Sequence, residues 1–516
     1  MTTNRDVTAA WTYHNSTKHS LQSIRSNRHY LDWDNKPLPF KIYSSLEPIA
    51  LPHDVPPVQT PTLTAISTTN LESQGECLPD LAMLASLLFL SAGITKRRTY
   101  PGGEVYFRAA ANTGALYHID LYLVCGDLPN LSAGVYHFGP HDFSLRRLRE
   151  GDYRSVLVHA SGDQHAVKHA PATLICTSTY WRNAWKYQAR TYRHCFWDAG
   201  TLLANFFAAA AALKVQTEVV AGFVDAEVNQ LLDLDTDREA SLALLPLDSS
   251  DPTRTDTVLA LSPLNLTTVP LSEHEVDYPA IRTMHAASSL LGAEEVRIWR
   301  REELQQTDTS PASGKLFPLI PLNETDLPIA PLEHVIRHRG STRRFAREPI
   351  SFSQLSTILA RSTQGVRADF LQPYGTTLAD LYLIVNAVDD LPAGTYVYHR
   401  DVQALELLRE GNFRKEAGYL GLGQELPADA SVNVFCLAHL PSILERLGNR
   451  GYRAAQLEGA IIGGKCYLAA YAQQLGATGL TFFDDDVIEF FSPHASGKSV
   501  MFLTAVGKPA KHQVLK

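Results

Sequence analysis

Apolar positions along the chain change their period several times, and each change marks an element. Over residues 80–91 they recur three and four apart, the spacing that turns one helical face toward a core. Residues 119–124 alternate and predict a strand. Gly134-Val-Tyr-His-Phe138, after a turn over 127–133, predicts another, and residues 173–177 predict a short buried one. Residues 201–213 are apolar on nearly every side, which predicts a core helix in a run too short to cross a bilayer. In the second half, Gln354-Leu-Ser-Thr-Ile-Leu-Ala360 follows Pro349-Ile-Ser-Phe-Ser353 and reads as a capped helix. Residues 500–506 read as a final strand, and the prolines repeated through 47–62 predict an extended strap. Residues 11–43 break the pattern with a crowd of rings, among them Trp11, Tyr13, His14, Trp33 and Tyr43. They suit either a substrate-facing lid or an arm that packs its rings on the body.

The predicted elements occur twice. Asp120-Leu-Tyr-Leu123 returns as Asp380-Leu-Tyr-Leu383, Ala133-Gly134 as Ala393-Gly394, and Leu148-Arg-Glu-Gly151 as Leu408-Arg-Glu-Gly411. Arg190-x-Tyr192-Arg193 returns as Arg450-x-Tyr452-Arg453, and each of these pairs lies 260 positions apart. Asp225-Ala-Glu-Val228 returns as Asp484-Asp-Asp-Val487, one residue out of register. The chain therefore reads as two copies of one domain, over 1–270 and 332–516, joined by a proline-rich connector over 271–331. Strands mixed with a long buried helix in each copy predict an α+β class. A tandem duplication often stands in for a homodimer, so a site shared between subunits becomes a site between copies.

Composition narrows the function classes. At 516 residues, 45% apolar and 19% charged, the chain has the make-up of a globular protein of more than one domain. A net charge of −8 gives no reason to expect nucleic acid or an anionic membrane as partner. Cys77, Cys125, Cys176, Cys195, Cys436 and Cys466 are scattered without a C-x-x-C pair, which predicts reduced thiols in a cytoplasmic protein and no zinc site. The polar N-terminus gives no sign of a signal peptide.

The candidate chemistry centres on residues 339–345, Arg-Gly-Ser-Thr-Arg-Arg-Phe. Arg339, Ser341 and Arg343 offer two guanidinium forks and a hydroxyl at alternate positions, a set that suits a phosphate monoester held between the forks. Together with Tyr13-His14-x-x-Thr17-Lys18-His19-Ser20, Gly114-Ala-Leu-Tyr117, and Lys186-Tyr187 with Arg190-x-Tyr192-Arg193, this run resembles the nitroreductase-like flavoproteins. Within them it resembles the SagB-type branch, which includes azoline oxidases. The resemblance covers nearly the whole chain as two fused copies. It implies an α+β nitroreductase-like fold arranged as a pseudo-dimer, FMN at the two-fold interface, and redox chemistry through the flavin N5. It further implies that one subunit supplies the Arg-x-Ser-x-Arg segment and the other the loop equivalent to Asn112-Thr-Gly-Ala-Leu-Tyr117.

The two copies depart from that pattern in complementary ways. The first lacks Arg-x-Ser-x-Arg; its counterpart, sought around residues 78–98, offers only Lys96-Arg97-Arg98. The second has Arg446-Leu447 where the first has Lys186-Tyr187, and an altered Pro373-Tyr-Gly-Thr-Thr377 loop. One competent FMN site per chain is expected, with Arg339, Ser341 and Arg343 from the second copy and Asn112, Thr113 and Gly114 from the first. The backbone of Ala477, Thr478 and Gly479 is expected against the ring. Lys186 and Tyr187 carry the family's catalytic pair, with Tyr187 as a base whose phenol a neighbouring Lys186 or Arg190 would make more acidic. An aromatic packing cluster with a solvated Lys186 is the plainer alternative.

The expected activity is dehydrogenation of a thiazoline or oxazoline ring, in a small molecule or on a carrier or peptide. A nicotinamide-dependent nitro or quinone reductase and a non-catalytic flavin-binding scaffold are the alternatives. Asp484-Asp-Asp486 is expected to open a helix rather than hold metal. Ser496-Gly-Lys-Ser499 lacks the leading glycine of a phosphate loop, since position 492 is serine, and reads as a turn.

Overall fold

Two antiparallel sheets carry the molecule, and their strands run in the same spatial order. The computed structural model describes residues 3–27, 29–68, 78–100, 103–247, 260–301 and 312–510. In chain order the strands are β1 (Pro48–Ala50), β2 (Ile94–Tyr100), β3 (Gly103–Arg108), β4 (Ile119–Cys125), β5 (Gly134–Gly139), β6 (Ser144–Glu150), β7 (Ala172–Thr179) and β8 (Glu239–Leu247). They continue as β9 (Lys315–Pro318), β10 (Ala379–Val385), β11 (Gly394–His399), β12 (Ala404–Glu410), β13 (Val432–Ala438), β14 (Gly476–Leu480) and β15 (Ser499–Gly507). The first sheet runs β1-β6-β5-β4-β7-β8 and the second β9-β12-β11-β10-β13-β15-β14. Registers agree as well: Tyr122 pairs with Ile175 and Tyr382 with Phe435, each 260 positions on. β2 and β3 form a separate hairpin.

The long helix of each copy lies between the sheets. Thr191–Ala212 and Arg450–Ala472 are buried along nearly their whole length and pack on one another. The first runs ten residues further toward the N-terminus than its apolar run predicts, and with the helix before it is long and apolar enough to cross a membrane by composition alone. Its apolar surface is instead covered by protein. Close approach is made possible by two glycines, each facing the alanine that stands at its own counterpart position 260 residues away. A Cβ on Gly200 would lie 2.5 Å from the Cβ of Ala460, and one on Gly464 would lie 2.6 Å from the Cβ of Ala204. Glycine inside a helix costs about 0.5–1 kcal/mol relative to alanine; here it removes a clash between backbones.

The repeated Arg and Asp motifs pair across the copies. Arg190 and Arg193 of the first copy meet Asp484 of the second at 3.0 and 2.5 Å. Arg450 and Arg453 of the second meet Asp225 of the first at 2.6 and 2.7 Å. All six side chains are buried. Arg193 also donates to Thr17 Oγ1 and the His14 carbonyl, while Arg453 donates to Ser288 Oγ and the His285 carbonyl. The repeat therefore reaches back through the helices Thr8–Ser16 and Pro279–Ala287, at an offset of 271.

Three expectations change accordingly. The segment 271–331 is no simple connector, since it holds that helix, Ala293–Arg301, and β9, which pairs with β12 as β1 pairs with β6. The eleven-residue difference between the offsets is the β2–β3 hairpin, present in the first copy alone. Helix Leu81–Ala92, capped by Asp80, then matches Phe352–Ser362, capped by Ser351 in a capping box with Gln354. The first-copy counterpart of 339–345 accordingly precedes residue 80, and Lys96-Arg97-Arg98 stands on the hairpin. That earlier stretch, Thr69-Asn-Leu-Glu-Ser-Gln-Gly-Glu-Cys77, lies outside the described residues and has no basic residue.

The N-terminal aromatics resolve largely as packing. Tyr13 sits edge-on to Tyr192 and Tyr452, though Tyr30 and Trp33 remain exposed. Cys125, Cys176, Cys195, Cys436 and Cys466 are buried free thiols, and Cys77 lies outside the described residues.

Candidate active site

The Arg339 segment leaves the end of helix Leu332–His338 and runs beside β14. Its backbone is fixed there, since Thr342 N donates to the Ala477 carbonyl at 2.9 Å. Arg339 then reaches into the first copy. Nε and Nη2 donate to the Ala109 carbonyl at 3.0 and 2.7 Å, and Nη2 to the Arg108 carbonyl at 3.0 Å. The guanidinium lies 5.8 Å from the Tyr467 ring centre. Tyr467 OH is 3.3 Å from Ser341 Oγ and accepts the Gly479 N–H. Arg339, Ser341 and the 477–479 backbone are thus joined through one phenol that sequence reasoning missed. The available signal was a difference between copies, because position 207, its counterpart, is phenylalanine.

The side chains facing Arg339 are Tyr467, Tyr117 and Tyr471. Arg343 is exposed and stands near Lys186 and Tyr187, with no carboxylate partner among the described residues. One guanidinium is thus anchored on first-copy carbonyls and the other stands beside the Lys-Tyr pair.

The first copy supplies the opposite wall. Asn112 and Thr113 shape their loop: Asn112 Oδ1 accepts from Leu116 N and Tyr117 N, and Thr113 donates through N and Oγ1 to Asp198 at 2.9 and 2.6 Å. His118 Nε2 lies 2.8 Å from the other Asp198 oxygen. Gly114 has φ +63°, and a Cβ there would sit 3.0 Å from Tyr187 OH. Glycine lets this turn close onto the phenol.

Tyr187 is not the acidified phenol expected. Burial pushes its pKa above the ordinary tyrosine range, and Asp198 pushes the same way; only Arg343 opposes them. Lys186 lies 5.3 Å from the Tyr187 ring centre, yet the phenol stays protonated. Lys186 itself is displaced downward by partial burial and by the charges of Arg343 and Lys36. Of the pair, Lys186 has the proton affinity moved toward neutral pH.

The pseudo-equivalent place keeps only a small cavity of about 30 Å³, beside Phe207, Thr217, Gly365 and Arg367. Glu458 receives Thr377 Oγ1 and Leu378 N as Asp198 receives the Thr113 loop, so the scaffold is kept. The rest differs. Val219 N donates to the Arg367 carbonyl and Asp369 N to the Val219 carbonyl, stitching the two copies together directly. The buried Glu218 carboxylate accepts from Tyr374 OH and Gln164. Asn4 packs against Gly448, next to Leu447, which replaces Tyr187.

The comparisons with known proteins agree with this architecture. Residues 80–247 match the model of the nitroreductase family. Over 97% of its length the chain superposes on a crystal structure of an Anabaena variabilis protein assigned to the nitroreductases, covering 99% of that chain with a TM-score of 0.78 and 28% identity. The fold is therefore nitroreductase-like, and its doubled arrangement is shared with that structure. A Methanocaldococcus jannaschii protein assigned as a nitroreductase is 27% identical over 167 residues, 32% of this chain and 79% of its own. The microcin B17-processing protein McbC of Escherichia coli is 27% identical over 144 residues, 27% of this chain and 49% of its own. The chain thus spans about half the length of that relative.

Proposed function

We propose that the chain is an FMN-dependent oxidoreductase with one cofactor site, at the cleft between Arg339 of one copy and the Asn112–Gly114 turn of the other. The observation that carries this reading is the donor set. Arg339 is held in place by carbonyls, and Arg343 has no carboxylate partner among the described residues; a cleft so rich in donors fits an anionic ligand. Arg339, Ser341, Arg343 and the backbone of Ala477, Thr478 and Gly479 would hold the cofactor. When bound, the flavin supplies the two-electron acceptor for a substrate C–H. Lys186, exposed beside Tyr187, takes the accompanying proton at Nζ; Arg343 and Lys36 displace its proton affinity in the direction that suits a base. Tyr187 remains a neutral phenol and orients the substrate by donating a hydrogen bond. Gly114 closes the turn over it and limits water.

The substrate proposed is a thiazoline- or oxazoline-type ring in a peptide-derived product, oxidised to the aromatic ring. Support comes from the Lys-Tyr pair and from similarity to a protein that processes microcin B17. The relatives assigned as nitroreductases favour a second reading, a nicotinamide-dependent reductase. The visible spectrum of the purified chain should give about one FMN per chain. Two per chain would contradict a second cavity that small, and none would overturn the reading. Anaerobic NADPH should leave the flavin oxidised in an azoline oxidase and bleach it in a reductase. With flavin retained, Lys186→Met should lower turnover about 100-fold or more.

A further inference from the structure

We propose that the outer face of the β2–β3 hairpin is a docking surface for an acidic polypeptide segment. The hairpin is the main insertion that distinguishes the first copy from the second. Residues 94–108 carry Lys96, Arg97, Arg98 and Arg108 against the single carboxylate of Glu104, in a chain whose net charge is −8. The corresponding stretch of the second copy, 365–368, has Arg367 as its single charged residue.

The charges are sorted between the two faces. In the antiparallel register Lys96 opposes Phe107, Arg98 opposes Val105, and Arg97 opposes Tyr106; opposed residues share a face. Tyr106 packs on Phe40 at 5.1 Å between ring centres, so its face is turned to the body, and Arg97 is neutralised there by Glu104. The other face presents Lys96, Arg98 and Tyr100, all exposed, beside Val105 and Phe107. Neither Lys96 nor Arg98 has a carboxylate partner among the described residues, and Arg98 lies 5.7 Å from the Phe107 ring centre.

Two cations on alternate strand positions are about 6.6 Å apart along the strand. That is the repeat of every second side chain in an extended peptide. Among the described residues no third strand joins the hairpin, so an extended chain has both a cationic stripe and a place beside the strands. Val105 and Phe107 give apolar residues of such a chain a contact between the charges. The base of the hairpin is the Arg108–Ala109 pair of carbonyls that Arg339 grips, and the Thr113–Gly114 turn at Tyr187 follows closely in the chain. A segment lying on the hairpin is therefore led toward Tyr187. Only this last step rests on reading the cleft as the active site; the docking surface does not.

The test is fluorescence anisotropy with the full chain and a labelled dodecapeptide of alternating Glu and Leu. The wild type should bind it and lose affinity as salt is raised. Lys96→Glu with Arg98→Glu should weaken binding about tenfold or more, and a peptide of alternating Lys and Leu should bind that variant in its place. Lys415→Glu, an exposed reversal elsewhere, should leave binding unchanged. Unaltered affinity in the double variant would overturn the proposal. So would equally tight, equally Lys96/Arg98-dependent binding of polyuridine RNA or phosphatidylserine vesicles, which would mark plain attraction for polyanions. The flavin spectrum of each sample reads the cofactor site separately, so failure of one reading is distinguishable from failure of the other.

Discussion

The two interfaces between the copies are built on one plan and used differently. At each, an acidic residue of the long helix, Asp198 or Glu458, receives the loop ahead of the central strand. At each, an Arg pair of one copy meets an Asp of the other. The divergence lies between these supports. In one place Arg339 stands between the copies and engages the Arg108 and Ala109 carbonyls, so the cleft is lined by donors. In the other, Val219 hydrogen-bonds directly to residues 367 and 369, and Glu218 puts a buried carboxylate where its counterpart is Thr478. The scaffold that holds a two-fold assembly together is thus separable from the residues proposed to make a site, and the first is present twice.

The largest effect should come from breaking the part that is shared. Removing one member of a buried ion cluster leaves the others uncompensated, at about 3–5 kcal/mol. Asp484→Ala strands Arg190 and Arg193, and Asp225→Ala strands Arg450 and Arg453, so both should lower stability by similar amounts in urea titration. A cost confined to one of them would show that the two clusters are not equivalent supports. The same groups set an acid limit. Burial would raise both carboxyls, but the facing guanidiniums outweigh it and hold them below the ordinary carboxylate range. A carboxyl with a depressed folded pKa contributes stability above its unfolded value of about 3.9 and loses it as pH falls toward the folded value. Stability should therefore drop below about pH 4, and the drop should shrink in Asp225→Asn or Asp484→Asn.

How far this could be read from sequence follows from the range of each interaction. The repeat is legible because strand order and register depend on local patterns that recur intact, as in Asp120-Leu-Tyr-Leu123 and Asp380-Leu-Tyr-Leu383. The Arg and Asp motifs are legible as motifs, but their crossing between copies is a tertiary fact with no local signature. The offset change from 260 to 271 hides the repeated N-terminal helix, because the hairpin falls between helix and central strand and pure spacing cannot bridge it. The direction of the Tyr187 shift was misread for a similar reason. Lys186 is adjacent in sequence, whereas burial and Asp198, which decide the sign, act through space.

A smaller effect distinguishes the buried faces of the long helices. In the first copy Asn205 donates to the Leu90 and Ala109 carbonyls, a neutral amide meeting two acceptors. Its counterpart, Lys465, donates to the Gln364 carbonyl and has no carboxylate partner among the described residues. Burial lowers its pKa to about 7. The folded value lies below the unfolded one of about 10.4, so its contribution to stability is full above that pH and is lost as pH falls toward 7. Lys465→Met should raise stability by about 2 kcal/mol at pH 7 and flatten the rise toward pH 10. A destabilised Met variant would mean the ammonium is satisfied in place.

The smallest change bears most directly on the proposal that one interface alone holds a cofactor. Tyr467 and Phe207 occupy matching positions and differ by a hydroxyl. The hydroxyl accepts the Gly479 N–H and lies 3.3 Å from Ser341 Oγ, so it ties β14 to the Arg339 segment. Tyr467→Phe keeps the ring under Arg339 and removes that tie, leaving the Gly479 N–H unpaired. An unpaired buried donor costs about 1–3 kcal/mol. Part of that cost falls on the protein without ligand, so flavin should bind about tenfold more weakly, read by the recovery of flavin fluorescence on dilution. Phe207→Tyr should not create a second flavin site, because the cavity beside residue 207 is only about 30 Å³ and Glu218 puts a buried carboxylate next to it. Unchanged flavin retention in Tyr467→Phe would remove the phenol from the explanation and leave the open cleft to Arg339 alone.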